Sequence, residues 1–207
     1  MLKKIPNKNI ASIISRYQLS EEAASLLTPQ LTPEAAIAVL QEQELYNDVV
    51  QFIAHGLPVI EAIGWASEAM DFRREDWGEP EVMAINAARN WLAQPNETLR
   101  IRASQLADRA GLECAPGWVA KAVFWSGTGS IVEPDLPAVM PPPFLYGHAA
   151  AAAITVAAAV PQWDNYQGFY RQVIELGIAI ANGKTVNTQA MALEESEKTS
   201  DNQLEGQ

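Results

Sequence analysis

Apolar residues recur three and four positions apart over most of this chain, in runs that begin near a proline or end near a glycine. The clearest run has its apolar members at Val59, Ala62, Ile63, Ala66, Ala69 and Met70. This spacing puts one face of a helix into a core, whereas a strand would alternate apolar and polar residues. Alanine is abundant and β-branched runs are scarce, so the sequence predicts an all-α fold.

The same residues predict the helix boundaries. Prolines that suit a first helical turn fall at positions 33, 58, 80, 95, 116 and 161. Their irregular intervals argue against a solenoid of fixed period and favour a compact orthogonal helical bundle or a short irregular helical-hairpin stack. Ser20 is the expected N-cap of an early helix. In the helix opened by Pro95, we expect Ile101 to face the core and Arg100 to face solvent.

The expected domain is a single helical unit over residues 9–184. Residues 1–8 are expected to form a flexible lead-in, and residues 185–207 a disordered acidic tail, because that tail offers few apolar residues to a core. Residues 130–143 combine prolines with apolar residues, so we expect an extended segment along the surface of the helices. Residues 149–160 are dominated by alanine, which predicts a buried helix of a soluble protein and no membrane insertion.

The formal net charge of −11 at pH 7 narrows the expected partners. Phosphate contacts need clustered lysine and arginine, so nucleic-acid binding is not expected. An acidic surface suits a protein partner with a basic surface, and a homo-oligomer is compatible with the sequence. The single cysteine fits a reducing compartment, and the first residues lack the apolar core of a signal peptide. The expected location is therefore the cytoplasm.

Residue types that perform catalysis or bind metals are few. His55 and His148 are the only histidines, and His148 has no cysteine or carboxylate at the spacing of a metal site. His55 has a structural explanation, since a histidine in a last helical turn suits the negative end of the helix dipole. Cys114 has no recognisable base to activate it as a nucleophile. We expect no catalytic, cofactor-binding or metal-binding residues, and an enzyme is the least favoured class.

Residues 71–81 form a charged connection between two predicted helices and hold the candidate protein-binding site. Its residues are Arg73, Arg74, Asp76, Trp77 and Glu79. Trp77 is unusual because its charged neighbours give it no apolar stripe to join. Such a ring either folds back onto the core or serves as the apolar anchor of an interface. The sequence is compatible with both roles.

Several segments together resemble a known family. They are Leu-Thr-Pro-Glu-Ala-Ala at 31–36, Phe-Ile-Ala-His-Gly-Leu-Pro at 52–58, Ala87-Ala88 with Trp91, Phe-Trp-Ser-Gly at 124–127 and three prolines at 141–143. The pattern is similar to an uncharacterised family of bacterial helical proteins of about this length, often encoded near type VI secretion genes. The resemblance implies a cytoplasmic protein-binding accessory or adaptor of that secretion machinery. The alternative is an immunity-type protein that neutralises a basic toxin by binding it.

Overall fold

The computed structural model describes residues 2–132, 135–161 and 165–192 of the chain. Within these ranges it contains ten α-helices, one 3₁₀ segment and no strand, which confirms the predicted all-α fold. The helices are α1 (Ala11–Ile14), α2 (Glu21–Leu26), α3 (Pro33–Glu42), α4 (Tyr46–Gly56), α5 (Val59–Ala69), α6 (Glu79–Ala93), α7 (Glu97–Ala110), α8 (Ala115–Phe124), α9 (Leu145–Ala158) and α10 (Tyr166–Ala181). The 3₁₀ segment (Met70–Asp76) directly extends α5.

Helix α9 lies among its neighbours and packs against α4, α5, α8 and α10. Its buried residues are almost all alanine and glycine, so the neighbouring backbones can approach closely. At Gly147, for example, an added Cβ would lie 3.1 Å from Cδ2 of His55. The predicted burial of the alanine-rich run is confirmed in α9. Among the described helices, none has the length and apolar character that crossing a membrane requires.

Local capping chemistry sets the start of several helices. Ser20 is the N-cap of α2, as predicted, and its Oγ accepts a hydrogen bond from the backbone N–H of Ala23 at 3.1 Å. The side chain of Asn96 caps α7 by accepting from the backbone N–H of Leu99 at 2.9 Å. Helix α7 therefore begins two residues after Pro95. The Asn96 side chain can accept from a free N–H group of the first turn, whereas proline has no side-chain acceptor.

The predicted orientation of Arg100 and Ile101 in α7 is wrong, although Leu106 is buried and Arg102 and Arg109 are exposed as predicted. Arg100 is only 1% exposed, whereas Ile101 is 37% exposed. The Arg100 guanidinium donates to both carboxylate oxygens of Glu97 at 2.7 Å and to the backbone carbonyls of Phe124 and Ser130. A buried arginine is tolerated when its donors are satisfied in this way, and a pattern of apolar positions cannot reveal it.

Residues 2–8 are not a flexible lead-in, contrary to the expectation from sequence. Leu2 and Ile5 are 4% and 1% exposed and belong to the hydrophobic core. The backbone N–H of Lys4 donates to the carbonyl of Ala181 at 2.8 Å, and its ammonium lies 2.6 Å from a carboxylate oxygen of Glu61. Two apolar side chains and these polar contacts attach the segment to the helices.

The expected disordered tail is also wrong for its first residues. Residues 184–192, here called the strap, run without helical structure over α5 and α6. Met191 in the strap is 3% exposed, and Val186 packs directly against Gly64. Residues 193–207, the rest of the predicted tail, lie outside the described residues.

The proline-rich segment is described except for residues 133 and 134. Ile131 and Val132 are half-buried beside α7 and α8, and the N–H of Ile131 donates to the carbonyl of Val139 at 2.9 Å. Leu136, Val139 and Met140 are each about half exposed, at 54%, 49% and 52%. These three apolar side chains therefore leave about half of their surface open to solvent.

Candidate protein-docking surface

The α5–α6 connection, residues 70–78, brings the predicted site residues to one end of these two helices. Helix α5 continues as the 3₁₀ segment, and a backbone kink falls at Arg73, with φ −128° and ψ 26°. Trp77 adopts an extended conformation that ends the segment, and Gly78 then caps α6. Pro80 and two glutamates in the first turn of α6 favour the new helix, because carboxylates suit its positive end.

Trp77 lies against the molecule rather than projecting freely from it. Its indole N–H donates to the backbone carbonyl of Met70 at 2.9 Å, and the half-buried ring packs against the hydrophobic core. These contacts support the role of a ring that folds back onto the core. The additional role of a contact anchor stays a prediction.

Phe72 is the aromatic residue of the α5–α6 connection that solvent reaches most. It is 43% exposed, whereas Met70, two residues earlier, is completely buried. Phe72 was not a predicted site residue, and the helical pattern gives no signal for it. It follows the buried Ala69 by three residues and the buried Trp65 by seven, a spacing that predicts a buried side chain. The 3₁₀ segment that replaces the α-helix after Ala69 changes this register and leaves the ring partly open to solvent.

The two arginines of the connection occupy different environments. The Arg73 guanidinium lies 4.9 Å from the ring centre of Phe169, a distance typical of a cation–π contact. Its Nε and Nη2 atoms are buried and have no hydrogen-bond partner within the described part of the chain. Arg74 is exposed and donates to the carbonyl of Ala192, the last described residue of the strap, at 3.0 Å.

The buried side chain of Arg89, on α6, connects the segments beneath this surface. Arg89 is 2% exposed, and its guanidinium donates hydrogen bonds to three different segments. It donates to Oγ and to the backbone carbonyl of Ser67 on α5, each at 3.0 Å, and to the carboxylate of Asp71 at 2.9 Å. It also donates to the backbone carbonyl of Gln189 in the strap at 2.9 Å. Arg89 thus holds α5, α6, the connection and the strap in one arrangement.

The surface itself is concave and charged. A cavity of about 490 Å³ is lined by residues 71–76 together with Pro161. Of the predicted site residues, Asp76 lines this cavity and is exposed, whereas Glu79 is exposed in the first turn of α6 and is not part of the lining. Residues 71–81 carry five carboxylates and two arginines. The arrangement combines one exposed aromatic side chain, charged side chains around it, and the segments that Arg89 holds together beneath it. Such a combination suits recognition of another protein.

The histidines lie elsewhere, between α4 and α9. His55 is fully buried, its Nδ1 is 2.8 Å from the carbonyl of Gln51, and its ring stacks on Tyr17 at 4.8 Å. The exposed His148 meets it edge-on at 4.4 Å. Burial lowers the pKa of His55 from 6.5 to about 4 despite the bond to Gln51. His55 is therefore a neutral packing residue, not the charged helix-end residue that the sequence suggested.

The remaining candidates for chemistry are accounted for by packing. Burial raises the pKa of the Cys114 thiol, whose Sγ donates to the carbonyls of Ala110 and Gly111. A raised pKa opposes the thiolate form that a nucleophile needs. Among the described residues, no group of three or more histidine, cysteine or carboxylate side chains is placed to hold a metal ion.

The fold and the site together define an all-α protein with a charged, aromatic surface at the end of two neighbouring helices. The model of a family of unknown function, DUF6931, matches residues 36–181, and the chain belongs to this family. Comparisons with curated proteins and with solved structures found no match. The α5–α6 connection lies within the matched residues, whereas the strap lies beyond them.

Proposed function

We propose that this protein is a protein-binding accessory or adaptor and that its partner docks on the α5–α6 connection. The observation that carries the proposal is the exposure of Phe72 on a base made rigid by the buried Arg89. Aromatic side chains surrounded by charged groups dominate the binding energy of many interfaces. A preformed base also lowers the entropy cost of docking, because few side chains need to become ordered.

The charge of the surface specifies the kind of partner. Residues 71–81 have an excess of carboxylates over arginines, and the whole chain carries a formal net charge of −11. A partner with a basic surface would be attracted before contact, and the rate of association would fall as salt is added. Arg74, which is exposed, would pair with a carboxylate of the partner and help to fix its orientation.

The cellular setting that we propose is a bacterial type VI secretion system, in the cytoplasm. It rests on the resemblance described for residues 31–36, 52–58 and 124–127. Membership of a family of unknown function is compatible with this setting. In that setting the protein would be an accessory or adaptor that contacts a component of the machinery.

A second candidate function is that of an immunity-type protein. The net charge of −11 favours it, because an acidic binding surface can neutralise a basic toxin by covering it. We place it second, because only the net charge favours it, whereas the resemblance described above also implies an accessory or adaptor. Catalysis has less support than either form of binding, since His55 and Cys114 are explained by packing.

Affinity capture followed by mass spectrometry separates the two functions. The tagged full chain is expressed in the bacterium that encodes it. It is compared with Phe72→Ala and with Leu112→Ala, a control at another exposed apolar residue. An adaptor is expected to recover secretion components, and an immunity protein a single effector. In both cases Phe72→Ala is expected to lose the partner while Leu112→Ala keeps it. Equal recovery by both variants would contradict docking on the α5–α6 connection.

A further inference from the structure

The strap is held over α5 and α6 mainly through its own backbone. Side chains of the two helices and of the connection contact backbone groups at four of its positions. These contacts are Glu68 with the N–H of Asn187 at 2.6 Å, Arg89 with the carbonyl of Gln189 at 2.9 Å, Asn86 with the N–H and carbonyl of Met191 at 2.7 and 2.9 Å, and Arg74 with the carbonyl of Ala192 at 3.0 Å. Backbone groups are common to all residues except for the N–H of proline, so these contacts would hold almost any extended segment.

The strap lies in a groove between α5 and α6. Three side chains of the strap fit this groove and would make it selective for a particular sequence. Lys184 places its ammonium 2.5 Å from the Glu68 carboxylate. Val186 sits on Gly64 so closely that an added Cβ there would lie 2.5 Å from it. Met191 is the one strap residue that is almost completely buried, at 3% exposure. The groove therefore fits a lysine, then a β-branched residue two positions later, then methionine after five more.

The polar lining means that the groove needs an occupant. Glu68 is only 7% exposed, and its carboxylate accepts hydrogen bonds from Lys184 and from the N–H of Asn187. If the strap left, this carboxylate would lose both donors, and Arg89 would lose one acceptor. Leaving buried polar groups without partners is costly. Replacement of the strap by another extended segment avoids that cost, because the same backbone contacts form again.

We propose that the groove between α5 and α6 is a docking groove for an extended peptide segment of a partner protein, and that the strap occupies it as an intramolecular competitor. The groove ends at Arg74, so it is continuous with the surface around Phe72. Its helices lie within the family match and the strap lies outside it. The proposal rests on the protein-binding function inferred above, and it identifies the partner's contribution as an extended segment of the pattern Lys-x-Val-x-x-x-x-Met.

The test uses the purified full chain and a fluorescent peptide with the strap sequence, Lys-Thr-Val-Asn-Thr-Gln-Ala-Met-Ala. In the wild-type chain the tethered strap competes at a high effective concentration, so the peptide is expected to bind weakly. Met191→Asp weakens the strap and leaves the groove intact, so this variant is expected to bind the peptide about tenfold tighter or more. A peptide with aspartate at the Val and Met positions is the control probe and is expected not to bind.

Two further variants show where the peptide binds. Added to Met191→Asp, Asn86→Ala removes the contact to the backbone of the methionine and is expected to abolish the gain. Asn90→Ala, one turn further along α6 at an exposed asparagine, is the matched control and is expected to preserve it. A folded Met191→Asp chain that binds the peptide no better than wild type would overturn the proposal, as would binding that Asn86→Ala leaves unchanged.

Hydrogen exchange on the wild-type chain gives an independent test that does not depend on any variant folding. If the strap can leave while the helices stay folded, the amides of Asn187 and Met191 exchange about tenfold faster or more than amides within α5 and α6. Equal rates would show that the groove opens only on global unfolding and would refute the proposal. Neither experiment involves a partner protein. Their failure is thus distinguishable from failure of the Phe72 surface in affinity capture.

Discussion

At the scale of single residues, buried polar side chains determine the geometry of the candidate site. Arg89 hydrogen-bonds to α5, the connection and the strap. It is not one of the apolar positions of α6, so the pattern of α6 does not predict its burial. Arg100 similarly joins the first turn of α7 to the end of α8 and to the backbone of Ser130. Neither role can be read from the sequence, because a buried charge is stable only with specific partners, and those partners are distant in sequence. The periodicity of apolar residues therefore assigned Arg100 to solvent and did not identify Arg89.

The buried His55 predicts a pH dependence of stability. The pKa of the His55 imidazole is 6.5 in the unfolded chain and about 4 in the folded chain. The free energy of unfolding is therefore unaffected above this window and falls as pH drops through it. Between pH 7 and pH 5 we expect His55 to account for a loss of about 2 kcal/mol. Urea unfolding at both pH values measures it.

Comparison with variants separates this effect from that of the carboxylates. His55→Gln is expected to lose the part of the pH dependence that His55 contributes. His148→Gln, at the exposed histidine beside it, is expected to keep most of the wild-type dependence. A His55→Gln chain that loses as much stability as wild type between the two pH values would show that the histidine is not held neutral.

Trp77 gives the second prediction at this scale. Its hydrogen bond to Met70 and its packing against the core indicate that Trp77→Ala lowers the free energy of unfolding. Because the ring is only half-buried, we expect a loss of about 1–3 kcal/mol, at the lower side of aromatic truncations in cores. Thermal and urea unfolding measure the loss. Unchanged stability combined with lost partner binding would instead make Trp77 a contact anchor.

At the scale of elements, the sequence predicts the helices well and the strap poorly. Helices begin and end through local chemistry, such as the Ser20 cap and the positive φ of Gly183 after α10. The strap has no such local signal. Its polar composition suggests disorder, but its order comes from Glu68, Asn86 and Arg89, which lie about 100 positions earlier in the chain. The same holds for residues 2–8, whose contacts with Ala181 and Glu61 are distant in sequence.

Helix α9 provides a test of close packing. Ala157 is fully buried, whereas Ala152 on the same helix is half-buried. Ala157→Leu adds volume where no space exists and is expected to cost about 1–3 kcal/mol of unfolding free energy. Ala152→Leu, the matched control, is expected to cost clearly less. Urea unfolding of both variants gives the comparison, and equal losses would mean that the α9 interface is not tightly packed.

The strap is expected to contribute to stability, in contrast to a dispensable tail. A chain that ends at Gly183 loses the burial of Met191 and leaves Glu68 without its donors. We expect a loss of about 2–5 kcal/mol relative to a chain that ends at Ala192. The chain ending at Ala192 is the control and retains every strap contact described here. Identical melting temperatures for the two chains would contradict the docked position of the strap.

At the scale of the whole molecule, charge and fold act together. The helices around α9 form a packed base, and the connection that leads from one of them, α5, to α6 presents Phe72. The sequence indicated residues 71–81 as a candidate site from their unusual mixture of charge and tryptophan. It drew attention to Trp77 and gave no signal at Phe72, and only the fold shows that Trp77 turns back to the core while Phe72 is exposed. For the proposed function, the excess of negative charge favours a partner with a basic surface.

The most direct test of the proposed function is calorimetric titration of the captured partner against three full-length chains: wild type, Phe72→Ala and Leu112→Ala. If Phe72 anchors the interface, its truncation weakens binding by about 2 kcal/mol or more, roughly 30-fold in Kd, without a change in melting temperature. Leu112→Ala, at a similarly exposed residue, binds like wild type. An equal Kd for all three chains would contradict docking on the α5–α6 connection.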